Sequence, residues 1–166
     1  VEYESHLPTP SGKELYGLKT SKNKYIGLGI NFDNRQSIYN PRSGGTINSN
    51  IMVGENQNNK ERNLALNYKF ASSYNFQIAN SLVFNTGLNF RGKWNKGGET
   101  NYSDYYWFGG SESMRGYSED FFQGTRIGWT TLELRWLQGL YSRLYLFYER
   151  GYFYYKENGE VVQDFP

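Results

Sequence analysis

Long runs in which apolar and polar residues alternate strictly constrain the fold of this chain more than any other feature. The first run has apolar side chains at every second position: Ile26, Leu28, Ile30 and Phe32, separated by Gly27, Gly29 and Asn31. Successive side chains of a β-strand point to opposite faces, so this run predicts a strand with one apolar face. Similar runs follow at 47–53, 64–70, 82–90, 126–137 and 144–149. They predict an all-β, antiparallel up-and-down meander, with a short link at Ser72-Ser73 and part of a further strand at 14–20.

The length of these runs bears on whether the strands belong to a membrane protein. A soluble β-sandwich or binding module shows the same alternation, so the alternation alone leaves both classes open. Several runs approach the ~9–11 residues with which a tilted strand crosses a bilayer, whereas strands usually have about 5–6 residues. We therefore predict roughly six or seven strands that form part of a transmembrane β-barrel.

Composition agrees with a barrel wall and argues against disorder. Only 37% of the residues are hydrophobic and the mean hydropathy is -0.77, yet 19% are aromatic. Disordered chains are poor in aromatic residues. A barrel wall is polar on average because only one of its faces meets lipid. No segment approaches the ~20 apolar residues of a transmembrane helix.

The same composition excludes several classes of function. The chain has no cysteine, one histidine and a net charge of +2. A catalytic triad would need His6, which is followed by Pro8 and Pro10 in a stretch predicted to be irregular, so we interpret it as a surface residue. No cluster of histidine and cysteine suggests a transition-metal site. The small charge does not suggest a nucleic-acid surface. We predict no enzyme activity, no catalytic residue, no metal, no cofactor and no nucleic-acid partner.

The longest connection, roughly 92–125, is a polar excursion that carries many aromatic residues. Loops beyond about 12–15 residues are usually functional or disordered, and the aromatic content argues against disorder here. Gly109, Gly110 and Gly116 permit sharp turns around Arg115, whose side chain is always charged and carries five donors. This pattern predicts a loop that folds back onto the protein and carries an arginine to a carboxylate.

Two carboxylates are available to that arginine. The alternation places Glu133 and Glu149 on the polar faces of two consecutive strands. A guanidinium between two carboxylates forms charge-assisted hydrogen bonds worth about 1.5–3 kcal/mol each where water is partly excluded. An exposed loop arginine and two solvated glutamates explain the same residues, so the local sequence leaves both interpretations open.

Two motifs together resemble a known family. One comprises Phe108-Gly109-Gly110 and Met114-Arg115-Gly116-Tyr117, and the other comprises Asp33-x-Arg35 and Pro41-x-x-Gly44. The first resembles the hydrophobic-Arg-Gly-aromatic signature of the BamA/TamA-type outer-membrane assembly superfamily, with Met114 in place of the usual valine. The second resembles the segment that closes one strand and opens the next in the same family.

The resemblance implies a specific architecture. In that family the long loop dips into the lumen of a transmembrane barrel, and acidic residues on the wall hold its arginine. Glu133 and Glu149 match those wall positions, and Phe147 is expected to pack against the loop tip. Residues 1–166 are then a single region from the later-middle part of a C-terminal barrel domain, with the resemblance covering roughly 24–155. The first strands, the last strands and the periplasmic domains are expected to be absent.

The resemblance also implies a function and a location. Family members insert and fold β-barrel proteins in the bacterial outer membrane, without ATP. The expected partners are outer-membrane lipids, unfolded outer-membrane client proteins and periplasmic accessory proteins. Two alternatives use the same barrel: the translocation pore of a two-partner secretion system, and the membrane anchor of a patatin-like autotransporter.

Overall fold

Ten β-strands make up the regular structure of the described residues. The computed structural model describes residues 2–6, 21–58, 61–96, 104–157 and 159–166. The strands are β1 Glu2–His6, β2 Ser21–Asp33, β3 Gly44–Asn58, β4 Glu61–Ala79, β5 Leu82–Asn95, β6 Tyr106–Phe108, β7 Phe122–Gly124, β8 Arg126–Leu137, β9 Arg143–Glu157 and β10 Glu160–Asp164. Within these ranges, no helix is long and apolar enough to cross a membrane.

Eight of these strands form one antiparallel sheet. Their order is β1-β2-β3-β4-β5-β8-β9-β10, so strands that are neighbours in the sheet are also neighbours along the chain, apart from the step from β5 to β8. The long loop makes that step. In the described part of the chain, β1 and β10 are the two edge strands. This arrangement confirms the predicted all-β antiparallel meander.

The two faces of the sheet differ sharply in exposure and polarity. We call one the apolar face: its residues are large, hydrophobic and exposed, and they include Ile26, Leu28, Ile30, Ile51, Leu88, Leu134 and Leu146. Leu28 is 86% exposed although it lies in the middle of β2. We call the other the polar face: it carries buried residues such as Asn67, Val83, Asn85, Ile127 and Glu133. The rest of the described chain therefore leaves the apolar face uncovered.

The long loop covers the polar face rather than extending away from it. Its two short strands, β6 and β7, pair with each other as a separate antiparallel ribbon. Phe108 and Met114 of the loop then form one buried cluster with Ile127 and Trp129 of β8. Phe108, with Tyr106 and Phe122 beside it, thus packs the described part of the loop against the sheet.

The opposite end of the sheet carries the link at 34–43, between β2 and β3, and the turn at 138–142, between β8 and β9. The Asn40 side-chain amide donates to the carbonyls of Gly139 and Ser142, at 2.9 and 3.3 Å. Because β4 and β5 lie between these connections, and neighbouring strands are about 4.8 Å apart, the contact indicates that the sheet is curved.

Three details differ from the sequence predictions. The link predicted at Ser72-Ser73 is wrong: β4 continues to Ala79, with Tyr74 and Phe76 extending its apolar face. In the described residues four short strands, β1, β6, β7 and β10, accompany the six long strands that match the predicted runs, because short segments show no periodicity. The partial strand predicted at 14–20 lies outside the described residues.

Candidate functional site

The site is built around Arg115 at the tip of the long loop. Its guanidinium donates through Nε and Nη2 to Oε1 of Glu149, at 2.9 and 2.5 Å. Its backbone N–H donates to Oε2 of the same carboxylate, at 2.8 Å. The remaining nitrogen, Nη1, lies 2.6 Å from Oε1 of Glu133. We refer to Arg115, Glu133 and Glu149 together as the loop lock.

The sheet presents the two carboxylates from neighbouring strands. Glu133 lies on β8 and Glu149 on β9, and the register pairs Thr131 with Glu149 and Glu133 with Phe147. The Thr131 hydroxyl donates to Glu149 at 3.2 Å, which helps to fix that carboxylate. Alternation along each strand puts both acids on the polar face, so their side chains converge on the position that Arg115 occupies.

The loop lock is partly shielded from water. The side chain of Arg115 is 19% exposed, and those of Glu133 and Glu149 are 7% and 6% exposed. Phe147 lies beneath the guanidinium, with its ring centroid 3.9 Å from the central carbon. A cation over an aromatic face is attracted to the ring. In such surroundings the ion pairs are worth more than at an open surface, where about 0–1 kcal/mol is typical.

The neighbours of Arg115 stabilise its charged form. Burial by itself would lower the pKa of the guanidinium, but the hydrogen bonds to Glu149 and Glu133 outweigh burial and raise the pKa above its usual value. A second arginine, Arg135, contacts the other oxygen of Glu133 through its Nε. Two guanidiniums therefore face two carboxylates, and the group is close to neutral as a whole.

Glycines shape the segment that carries Arg115. Gly109, Gly110 and Gly116 all have positive φ, at 133, 82 and 97 degrees. At Gly109 a Cβ would also lie 2.6 Å from the carbonyl oxygen of Ser118, which is too close for any other residue. Inside this turn the Ser113 hydroxyl accepts from the N–H of Gly109 at 2.7 Å. The backbone can therefore reverse direction just before it delivers Arg115 to the sheet.

A second attachment holds the start of the loop. Asp104 is 2% exposed, accepts from the side-chain amide of Asn95 at 3.2 Å and lies 3.9 Å from the ammonium of Lys93. Two residues further on, the Tyr106 hydroxyl donates to the side-chain oxygen of Asn67 at 2.6 Å. These contacts lie on β4 and β5, whereas the loop lock lies on β8 and β9. The loop therefore bridges four strands of the polar face.

We expect Asp104→Ala to loosen the start of the loop without releasing its tip. Removing a buried carboxylate leaves its hydrogen-bond donors unpaired, which costs about 1–3 kcal/mol of stability. The midpoint of urea unfolding in detergent should fall accordingly. The rate of chymotrypsin cleavage at Tyr117, close to Arg115, should stay at the wild-type value. Glu112→Ala, an exposed acid in the same loop, is the matched control and should change neither property. Unchanged stability for Asp104→Ala would contradict this second attachment.

The other predicted motif lies away from the loop lock. Asp33 accepts from the N–H and guanidinium of Arg35, with 2.6 Å between Oδ2 and Nη2; Asp33 is exposed and Arg35 is half-buried. Pro41 is buried. Gly44 has a φ of 83 degrees, and a Cβ there would lie 2.3 Å from the carbonyl oxygen of Asn34, so the position requires glycine. This segment shapes the link at 34–43 and the start of β3. It makes no direct contact with Arg115 among the described residues.

The structure places the remaining predicted residues as follows. Met114 is buried against β8, whereas Tyr117 is 42% exposed and packs on Phe121 and Phe122 of its own loop. Sequence reasoning missed Arg135 and Asp104 as members of the site. Arg135 had a signal, because it follows Glu133 by two residues and so shares its face. For Asp104 no local pattern distinguishes a buried acid from a solvated one.

The contacts of the site hold a loop in place on the polar face. Within the described ranges, no group of three or more histidine, cysteine, aspartate or glutamate residues is placed to hold a metal ion. The strands are long, one face is apolar and exposed, and a loop is fixed to the polar face. That architecture is consistent with part of the wall of a transmembrane β-barrel.

A comparison with protein families identifies the class of protein. A model of the Omp85 superfamily domain matches residues 4–160. The chain therefore belongs to the Omp85 superfamily, a non-enzymatic family of outer-membrane proteins that insert or secrete other proteins. This match confirms the resemblance seen in the two motifs. No curated protein matches the chain, and no solved structure matches it.

Proposed function

We propose that this chain forms part of the barrel of an outer-membrane protein assembly factor, and that the loop lock fixes the long loop inside the barrel lumen. The observation that carries the proposal is the position of Arg115 between Glu133 and Glu149. Four contacts of 2.5–2.9 Å join the loop tip to two neighbouring strands of the wall. A loop held so firmly would brace the wall while client proteins fold beside it.

The exposed apolar face supports a location in the outer membrane. Lipid tails would cover the side chains that water contacts in the isolated chain, Leu28 and Leu146 among them. The polar face would then line the lumen. A polar cavity of about 360 Å³ lies between this face and the loop, and both carboxylates of the loop lock line it. Water in the lumen would therefore reach the loop lock through this cavity.

The edges of the sheet bear on how the barrel closes. In the described part of the chain, β1 and β10 each have a neighbour on one side only. Unpaired backbone groups in lipid cost several kcal/mol each, so an edge strand cannot face the bilayer. We propose that further strands complete the barrel, that this chain supplies its later-middle part, and that periplasmic domains and accessory proteins act with it.

We expect Leu28→Arg to impair membrane insertion if the apolar face meets lipid. An arginine at the bilayer midplane costs about 2–4 kcal/mol, whereas a surface substitution in a soluble protein usually costs within about 0.5 kcal/mol. Asn31→Arg, on the same strand but on the opposite face, is the matched control and should insert normally. The yield of folded protein in liposomes, read from its heat-modifiable gel mobility, measures both. Equal yields would contradict lipid contact.

The assembly function itself is tested by replacement in the cell. Cells depleted of the native protein should recover folded outer-membrane proteins when they receive the wild-type gene, and fail to recover them with Arg115→Ala expressed at the same level. If outer-membrane protein levels never depend on this protein, while one secreted partner accumulates in the periplasm, the protein is a two-partner secretion pore. If neither changes, a membrane anchor for an attached enzyme is the better description.

A further inference from the structure

We propose that Arg135 is a positioning residue that couples the loop lock to the link at 34–43, several strands away across the barrel wall. This inference rests on the loop lock proposed above and extends it to a part of the chain that does not touch the loop. One continuous set of polar contacts on the polar face joins the loop lock to the link at 34–43.

The first step connects the loop lock to Arg135. Glu133 uses one oxygen for Arg115, at 2.6 Å, and the other for Nε of Arg135. Because a single carboxylate holds both guanidiniums, its orientation depends on both. Without Arg135, the second oxygen of a side chain that is 7% exposed would lose its partner. The carboxylate would then be free to rotate toward Arg115 or away from it.

The guanidinium of Arg135 extends the contacts across the sheet. Nη1 of Arg135 donates to the Asn75 side-chain oxygen at 3.1 Å, and Nη2 donates to the Asn85 side-chain oxygen at 3.0 Å. Asn85 in turn donates to the same oxygen of Asn75 at 2.9 Å. Both amides are buried, at 1% and 4% exposure. The fork of one guanidinium therefore ties β8 to β5 and β4.

The side chain of Asn75 extends the contacts to the link at 34–43. The Asn75 side-chain amide donates to the carbonyl of Gly44 at 2.9 Å, in a buried contact. The neighbouring Gly45 donates its N–H to the side-chain oxygen of Asn34 at 2.8 Å, and its carbonyl accepts from the Asn34 N–H at 3.0 Å. Gly44 admits no side chain here, since a Cβ would overlap the Asn34 carbonyl. The set of contacts thus ends on the backbone that forms the link.

The members of this set lie in one row across the sheet, because Gly44 pairs with Asn75, Asn75 with Asn85, and Asn85 with Glu133. The long loop leaves β5 after Asn95, which pairs with Ala65 near the start of β4. The link follows Asp33 and precedes Gly44, which pairs with Asn75 towards the far end of β4. If the loop is in the lumen and enters from one side of the membrane, the link lies at the other side. The loop tip therefore extends along the polar face to the row of residues that also meets the link, and Arg135 lies beside that row.

Arginine is suited to this role in a way that lysine is not. Its planar fork presents several donors in fixed directions, so one side chain can hold a carboxylate and two amide oxygens together. A lysine has the same charge but concentrates its donors on one atom. Replacing Arg135 with lysine should therefore keep the charge beside Glu133 and lose the connection to Asn75 and Asn85. Methionine should lose both while filling similar space.

The experiment compares Arg135→Met and Arg135→Lys in the full-length protein in detergent, with two measurements. Chymotrypsin cleavage at the exposed Tyr117 and Phe121 reports the loop, and hydrogen exchange of residues 34–45 reports the link. For Arg135→Met we expect both rates to rise roughly tenfold, the effect of losing one charge-assisted contact. For Arg135→Lys we expect cleavage close to wild type and exchange still raised. Arg42→Met, an exposed arginine within the link, should change neither rate.

Three outcomes would overturn the proposal. The first is wild-type exchange of 34–45 in Arg135→Met. The second is equal behaviour of Arg135→Lys and Arg135→Met in both measurements, as a packing defect would give. The third is the same pair of changes in Arg42→Met. Arg115→Ala separates this proposal from the loop lock itself. If Arg115→Ala fails to accelerate cleavage, the loop lock is wrong. If Arg115→Ala accelerates cleavage and Arg135→Met does not, only the coupling is wrong.

Discussion

Replacing Arg115 with alanine will release the loop tip from the polar face and destabilise the barrel by about 2–5 kcal/mol, the range for truncating one partner of a buried, hydrogen-bonded charge pair. The loss is large because Glu149, 6% exposed, remains on the wall without the guanidinium that it faces, and Glu133, 7% exposed, keeps only Arg135. The urea midpoint of unfolding in detergent micelles, and chymotrypsin cleavage at Tyr117, measure the two consequences.

Two controls make this result specific to the loop lock. Arg42→Ala removes an arginine that is exposed in the link at 34–43, so it should leave stability within about 0.5 kcal/mol of wild type. Arg115→Lys keeps the charge but cannot reproduce the forked contact to Glu149, and it should fall between wild type and alanine. Wild-type stability and cleavage for Arg115→Ala would rule out the loop lock.

Phe108→Ala will destabilise the protein by about 3–5 kcal/mol, as expected for a buried phenylalanine whose removal leaves a cavity. Phe108 is 2% exposed and stacks on Trp129 of β8, with ring centroids 5.9 Å apart. It packs with Met114 and Ile127 in the same cluster. This apolar contact holds the loop independently of the ion pairs, so its loss should lower the unfolding midpoint at high salt as well as at low salt.

The matched control for Phe108 lies in the same loop. Phe121 is 61% exposed, so Phe121→Ala opens no internal cavity and should cost far less. Equal destabilisation by the two substitutions would show that the cluster around Trp129 does not hold the loop. A large salt dependence for Phe108→Ala would point instead to a disturbed loop lock.

The alternation of residues was sufficient to predict most of the sheet. Leu132 and Leu134 are exposed on the apolar face while Glu133, between them, is buried, as the two-residue period requires. The end of β4 was predicted wrongly because two serines look like a link, although Tyr74 and Phe76 continue the period. The ribbon of β6 and β7 could not be predicted, since three-residue strands carry no periodicity and depend on contacts with the sheet.

The site shows the same division between local and distant information. Arg115 and its glycines stand out in the sequence because of the family motif, and Gly109, Gly110 and Gly116 do have the positive φ that such a turn needs. The part played by Asp104 depends on Asn95 and Lys93, which reach it only after the chain has folded. The role proposed for Arg135 depends on Asn75, on a strand that is not its sequence neighbour.

A double-mutant cycle between Arg115 and Glu149 tests the central claim most directly. The unfolding free energies of Arg115→Ala, Glu149→Ala and the double variant, measured in detergent micelles, give the coupling between the two side chains. Contacts such as those at 2.5 and 2.9 Å predict a coupling of roughly 1.5–3 kcal/mol, because the second substitution removes a partner already lost. Additive effects, within about 0.5 kcal/mol, would contradict an arginine that pins the loop to the wall.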